Sequence, residues 1–539
     1  MSTDDLHVLA ERIRGNELEE QIDAVAKIEI GNLLLLDNPP IQSVLALNVV
    51  MHFLSSESAQ LQVETALVLT NIAGGSASET RAVVVAGAVP HLVALLRSPH
   101  QNVREQAVGA LGNIAGDSVH CRDHVLSHGA MPLLLDCFTD MSQVSLVGAA
   151  AWALSNFCRG KPQPPFDVVQ PALGVLGSLI NYDDPEVLTD ACWALSFLSD
   201  GPHDRIQAVL DAGVLPRLVE LLDHKAITVL TPALHCIGNI VAGTEQQTQK
   251  VVDSNALVQL AKLLEWPKRL IRRDACLAIS NIAGGNHSQI QAVIDSGVVS
   301  TLVAMLGTAP LEIKKEACWA VSNAVRVGAP AQVEHFVQCG AFRPLLDMLA
   351  VPDDKVATIV LQGVVHMLRS CDDSDVALAL SAGILAKMDD ALIEDTAGAL
   401  RGIERCANVD ANSVLESGVL SELAFLPDED PTLEMKQSIA RTVFLCYNSA
   451  TPAQLDKLTD TGIFNQMYVI RDRAATICIA MQDLELPALI TLEVLDAAFP
   501  NDIPMHKKWQ LVTAIKHSDW VERCRCHLRR RRVVCRWCE

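Results

Sequence analysis

The sequence predicts an all-α fold built from stacked helical repeats, and three observations predict it. A phrase carrying Asn returns roughly every 42 residues along the chain. Within each copy the apolar residues recur at helical spacing and not with a period of two. The composition is 50% hydrophobic but only 4% aromatic, so the apolar content is Ala, Leu, Val and Ile, which suits helix-on-helix packing. At 539 residues the chain is too long for one compact core.

The elements follow in order from two recurring phrases. The first aligns without gaps as "ETALVLTNIAGG" (64–75), "QAVGALGNIAGD" (106–117), "AAAWALSNFCRG" (149–160), "DACWALSFLSDG" (190–201), "PALHCIGNIVAG" (232–243), "DACLAISNIAGG" (274–285) and "EACWAVSNAVRV" (316–327). Its eighth column holds Asn71, Asn113, Asn156, Phe197, Asn239, Asn281 and Asn323, and a weaker copy adds His366. The second phrase lies between them, as in "AGAVPHLVALL" (86–96) and "AGVLPRLVELL" (212–222). Gly87, Gly129, Gly213, Gly297 and Gly340 mark a break before it, with Asn255 as the exception, the next-best residue for a left-handed turn. Each unit is therefore expected to be a short helix, a Gly or Asn turn, then two longer helices. A period of 42 with this pattern falls in the HEAT/armadillo class. One such repeat cannot bury its apolar face alone, so neighbours stack and leave a long groove lined by the last helix of each unit.

Four residues before each eighth-column position stand Leu67, Gly109, Trp152, Trp193, His235, Leu277 and Trp319. Residues four apart share a helix face. Asn offers a donor and an acceptor, so a row of Asn can hold an extended peptide by its backbone. Indole faces attract cations and form slots for the aliphatic stems of Lys and Arg, at about 0.5–2 kcal/mol per slot. Asp117, Asp190, Asp274 and Glu316 lie near these positions and add charge complementarity. The combination selects an extended Lys/Arg-rich segment. The structural reading stands beside it: Trp in a solenoid packs between repeats, and Asn before Gly caps a helix.

The phrases "ALGNIAGDSVHCRDHVL", "WALSNFCRGKPQPPFD", "EVLTDACWALSFLSDG", "IQAVLDAGVLPRLVELL" and "IKKEACWAVSNA" resemble the importin-α family of armadillo nuclear-import adaptors, over about residues 16–449. The segment 416–445 is similar to the family's last repeat. The resemblance implies a right-handed armadillo-repeat superhelical solenoid of about ten repeats, and two peptide sites for basic nuclear localisation signals. Carried over by position, the larger site comprises Leu67, Asn71, Gly109, Asn113, Trp152 and Asn156, with Thr80 and Asp117 around a lysine pocket. The smaller site comprises His235, Asn239, Leu277, Asn281, Trp319 and Asn323, with Asp274 and Glu316; Asp190, Trp193 and Phe197 lie between the two. Leu67, Gly109 and Leu277 depart from the family's Trp. Losing two of three indoles at the larger site costs about 1–4 kcal/mol on the cation–π scale. The alternative reading is an armadillo scaffold that has lost signal binding for this reason.

The resemblance also implies an importin-β-type carrier that docks on a basic N-terminal segment. Here residues 1–24 contain only two Arg and one His, which argues against recruitment of that carrier through this segment. The implied location is cytoplasm and nucleus.

Composition bounds the rest. The net charge of −22 argues against nucleic acid or an anionic membrane as partner and favours basic ones. The opening "MSTDDLHVLA" is acidic and has no apolar run, so no secretory signal is expected. Cys192, Cys236, Cys276 and Cys318 stand singly among apolar residues and are expected to be reduced core thiols. No P-loop, zinc-protease, nucleophile-elbow or dinucleotide motif is present, so neither catalysis nor a cofactor is expected.

Four segments result: an N-terminal tail 1–15, the solenoid 16–449, a helical extension 450–520 of unassigned role, and a basic tail 521–539. The tail carries 7 Arg against 2 Glu, a local charge of +5 on a body of −27. It reads as a solvated tail, as a localisation signal, or as a cis ligand presenting Arg529–Arg532 to a groove. Cys524, Cys526, His527, Cys535 and Cys538 give only a weak zinc pattern, and no metal site is assigned to them.

Overall fold

The structure is a computed structural model that describes residues 17–26, 51–387 and 396–417, with a few further residues between 11 and 454. Residues 1–10 and all beyond 454 lie outside the described residues; these hold most of the 450–520 extension and the whole tail 521–539 with Arg529–Arg532. Every described element is a helix, so the all-α armadillo solenoid expected from the repeat is what the chain forms. The chain divides into two compact units, Met1–Asn281 and Ile282–Glu539.

The long helices carry the first phrase. They are α1 Ala59–Ala73, α2 Gln101–Asp117, α3 Val144–Cys158, α4 Pro185–Ser199, α5 Ile227–Val241, α6 Arg269–Ala283, α7 Leu311–Val327 and α8 Asp354–Met367. In the first unit α1 packs on α2, α2 on α3, α3 on α4 and α4 on α5. In the second, α7 packs on α8 and α8 on the Thr396–Val409 helix.

Two shorter helices precede most long ones, as with Ala77–Val85 and Ala88–Leu95 before α2. The expectation of two longer helices per repeat is corrected here: only the last is long. The second phrase is apolar to its end, but the chain then turns at once, with Ser98 N–H donating to Leu95 C=O just ahead of Pro99, which cannot donate to a continuing helix. The break between the short helices falls where expected. Gly87 (φ 82°), Gly129 (74°), Gly213 (72°), Gly297 (75°) and Gly340 (78°) adopt left-handed backbone, as does Asn255 (62°). Gly383 (74°) repeats the device once more.

Helix starts are fixed by local chemistry. Ser58 Oγ accepts from Leu61 N–H at α1, and Asp184 accepts from Glu186 and Val187 N–H at α4, with Pro185 at the first helical position. Thr244/Gln247 and Asn286/Gln289 form reciprocal capping boxes. The Gln does more than cap. Gln247 Nε2 also donates to His203 C=O (2.8 Å), 44 residues earlier. Gln332 Nε2 reaches His287 C=O (2.8 Å) in the same way in the second unit. A capping residue thus also ties successive short helices together.

The core is aliphatic and continuous through each stack. In α3 every residue from Ala150 to Cys158 is buried except Trp152, which is half-exposed. Each fully buried Leu, such as Leu111 or Leu154, contributes roughly 1.5–3 kcal/mol. Cys192, Cys236, Cys276 and Cys318 are wholly buried thiols, and burial pushes Cys236 and Cys318 up to about 12, so they remain protonated.

Candidate peptide-binding site

The column residues sit where the long helices place them: Leu67 and Asn71 on α1, Gly109, Asn113 and Asp117 on α2, Trp152 and Asn156 on α3, Asp190, Trp193 and Phe197 on α4, His235 and Asn239 on α5, Asp274, Leu277 and Asn281 on α6. All of these belong to the first unit. Glu316, Trp319 and Asn323 lie on α7 in the second, each half-buried.

The Asn residues have a structural task. Asn113 Nδ2 donates to Thr70 C=O (2.8 Å), Asn156 Nδ2 to Gly112 C=O (3.2 Å) and Asn239 Nδ2 to Ser196 C=O (2.9 Å). The acceptor is in each case the residue just before the eighth-column position of the preceding long helix. Each amide therefore clips one repeat to the last and is held in fixed orientation. Asn239 Nδ2 also donates to Ser199 Oγ (3.3 Å); an Asn side chain carries a carbonyl besides its two N–H bonds, so the clip leaves at least the carbonyl for a guest peptide. Asn156 is only 7% exposed, so its clip is its firmest role, whereas Asn71 is exposed.

Glycines make the close approach possible. The indole of Trp152 lies against Gly112, where a Cβ would drive into its ring carbons Cζ3 and Cε3. One turn on, Asn156 lies over Gly116, and Asn113 lies over Gly74 in the same manner. The indole and the amide, four apart on α3, thus both seat on glycines of α2. Gly112→Ala is expected to lift the indole and to cost about 1–3 kcal/mol by overpacking, read as a change in near-UV circular dichroism with a lowered melting temperature.

At α4 the pattern changes. Phe197 replaces the amide and stacks on Trp193 (centroids 5.6 Å apart, 21°). His235 meets the same indole edge-on (5.3 Å, 76°), and its Nε2 lies 3.3 Å from Asp274 Oδ2. Arg273 Nη2 holds the other oxygen of that carboxylate at 2.7 Å. Burial pushes the Asp274 carboxyl up, but hydrogen bonds from His235 and Arg273 outweigh it and leave it below the usual range. Asp190, half-buried beside this cluster, is pushed up to about 6, by burial first and by the Glu186 charge second.

Thr80, expected around a lysine pocket, is 1% exposed, and its hydroxyl donates to Ala73 C=O (3.1 Å). Asp117 is exposed at the end of α2. Leu67 and Leu277 are 38% and 42% exposed, so aliphatic side chains stand open where the column elsewhere carries Trp. Among the described residues no set of three or more His, Cys, Asp and Glu is arranged to hold a metal, and no single helix is long and apolar enough to cross a membrane.

Sequence reasoning missed Arg122. It is wholly buried on the Val119–Ser127 helix and clamps the loop after α3, donating to Arg159 C=O (2.5 Å) and Pro162 C=O (2.9 Å). Arg205 Nη2 holds Pro164 C=O (2.8 Å) from the other side, its guanidinium 4.9 Å from the Phe166 ring. The only signal in the sequence was a lone Arg inside an otherwise conventional short helix.

Comparison with known proteins agrees with this geometry. The armadillo/beta-catenin-like repeat family matches residues 77–116, 118–159, 202–242 and 286–326, and a HEAT-like repeat family matches 145–198. An engineered protein of known crystal structure is 27% identical and superposes with a TM-score of 0.63, covering 74% of this chain and 98% of its own. Stacked three-helix units with an Asn clip between long helices define an armadillo-repeat protein.

Importin subunit alpha-2 of Arabidopsis thaliana is 52% identical over 213 residues, 39% of this chain and 40% of the relative. Importin subunit alpha-1b of Oryza sativa subsp. japonica is 49% identical over 224 residues, 41% and 42% respectively. Over that part of its length the chain is similar to importin alpha subunits. It spans, in these alignments, about two fifths of the length of the curated relatives it matches.

Proposed function

We propose that this protein is an adaptor for protein import into the nucleus, working in cytoplasm and nucleus, that binds extended Lys/Arg-rich segments of its cargo. It acts by binding and carries out no chemical step. The observation that carries the reading is the set of clipped amides at Asn113, Asn156 and Asn239, held at the same column position on α2, α3 and α5, with Trp152 half-buried beside Asn156. Fixed amides lose little freedom when a peptide backbone docks, which favours affinity. Similarity to importin alpha subunits supports the transport role. The net charge of −22 suits a basic guest.

One observation favours a second reading, a scaffold with altered ligand preference. Leu67 and Leu277 are exposed aliphatic residues in the Trp column, and Gly109 has no side chain there.

The test is fluorescence anisotropy of a labelled lysine-rich peptide against the full chain. Saturable binding that weakens with added salt is expected; no saturable binding at low salt sinks the adaptor reading and leaves the scaffold. The pH profile adds a second check. Asp190 titrates near pH 6, and only its ionised form attracts a cation. Affinity for the peptide is therefore expected to fall by about two- to fivefold as the pH drops from 7.5 to 5, the value of one partly exposed ion pair. Asp190→Asn is expected to flatten that part of the profile.

A further inference from the structure

His120, His124 and His128 follow one another at intervals of four, along and just beyond the Val119–Ser127 helix. They share one face. The rings of His124 and His128 are in contact, with centroids 4.6 Å apart at 69°. His124 is half-buried, and His120 and His128 are exposed.

The hydrogen bonding of His128 fixes its chemistry. Its Nδ1 lies 2.8 Å from the C=O of His124. A carbonyl only accepts, so Nδ1 carries the proton, and the Nε2 of the neutral ring keeps its lone pair. An imidazole whose other N–H is anchored on a backbone carbonyl is the arrangement that prepares the ring as a metal ligand. The same carbonyl accepts from Ser127 Oγ (2.7 Å), which holds the turn that carries His128.

We propose that His124 and His128 form a two-imidazole chelate for a divalent transition cation of the zinc or copper type. Imidazole nitrogen favours Zn²⁺, Cu²⁺ and Ni²⁺, and the pair brings no carboxylate cage of the kind Mg²⁺ or Ca²⁺ requires. The exposed face leaves the remaining coordination positions to water. His120, one turn earlier, is the nearest further imidazole and already acts electrostatically on His124. The site stands on a short helix, apart from the column residues of the long helices, so it neither uses nor depends on the peptide face. A bound cation bridges the last turn of the helix to the residue beyond it and so fastens the turn into Gly129.

The experiment is calorimetric titration of the full chain with ZnCl₂ and, separately, CuCl₂, comparing wild type with His124→Ala/His128→Ala. Both side chains reach solvent, so the double variant is expected to keep its far-UV circular dichroism. The expected result is the loss, or a weakening by at least about tenfold, of one equivalent of Zn²⁺ in the variant. Cu²⁺ binds the wild type more tightly than Zn²⁺. The paramagnetic resonance spectrum of the Cu²⁺ form shows imidazole nitrogen coupling that the variant loses. The Cys- and His-rich segment 521–539 is present in both proteins, so any metal it takes cancels in the difference. Equal zinc stoichiometry and affinity in the two proteins, or a Cu²⁺ spectrum that the substitutions leave unchanged, overturns the proposal.

Discussion

Arg122→Ala is expected to be among the most damaging single changes in the first unit, at about 3–5 kcal/mol, because several buried carbonyls lose their donor at about 1–3 kcal/mol each. The guanidinium is wholly buried and donates to Arg159 C=O, Gly160 C=O and Pro162 C=O at 2.5, 3.4 and 2.9 Å. Its Nε and Nη2 also bond Asp123, which is 47% exposed. Removing it leaves three inward carbonyls without a donor and a void beneath the loop. Gly160 cannot adjust freely, because its φ of 104° and its approach to Val119 and Arg122 suit glycine alone. Arg122→Lys keeps the charge but not the planar fork, so it is expected to recover only part of the loss. In a repeat protein unfolding need not be all-or-none. The direct measurement is therefore amide hydrogen exchange of residues 158–165, which is expected to accelerate sharply, alongside the melting temperature. Unchanged protection in this loop would show that the clamp contributes nothing.

Trp152→Ala and Asn156→Ala are expected to separate two roles that one helix face combines. On the proposed function the Trp152 indole walls a slot for a Lys or Arg stem, so its loss is expected to weaken a lysine-rich peptide by about 0.5–2 kcal/mol, or roughly two- to thirtyfold in Kd. Its cost in stability comes from the lost packing of the half-buried indole on Gly112. Asn156→Ala acts on both. It takes the donor from Gly112 C=O, so stability is expected to fall by about 1–3 kcal/mol. It also frees α3 to shift against α2, so peptide affinity falls in step. Anisotropy titrations and thermal melts of the two variants, run together, give the comparison. If Asn156→Ala leaves the melt unchanged, the amide is no clip; if Trp152→Ala leaves affinity unchanged, the indole is no wall.

The repeat was legible in the sequence because its causes are local. The spacing of 42 residues, the helical recurrence of Leu, Ile and Val, and the left-handed turns at Gly87, Gly129 and Asn255 all follow from contacts and backbone preferences within a few residues. So did the membership of the column, since residues four apart on one helix share a face. The length of the second helix in each repeat was misjudged, because its apolar phrase carries no internal sign of where it stops.

What each column residue does was decided only by the tertiary structure. Sequence set capping against peptide binding for the Asn row, yet Asn113, Asn156 and Asn239 clip repeats together across 43 or 44 residues. Trp152 rests on Gly112, Trp193 meets His235, and Arg122 reaches the carbonyls of the next loop. The physical reason is common to all of these. A side chain's own helix fixes the direction in which it leaves the backbone, but its partner is set by how closely the next repeat packs, and that depends on every buried side chain between them.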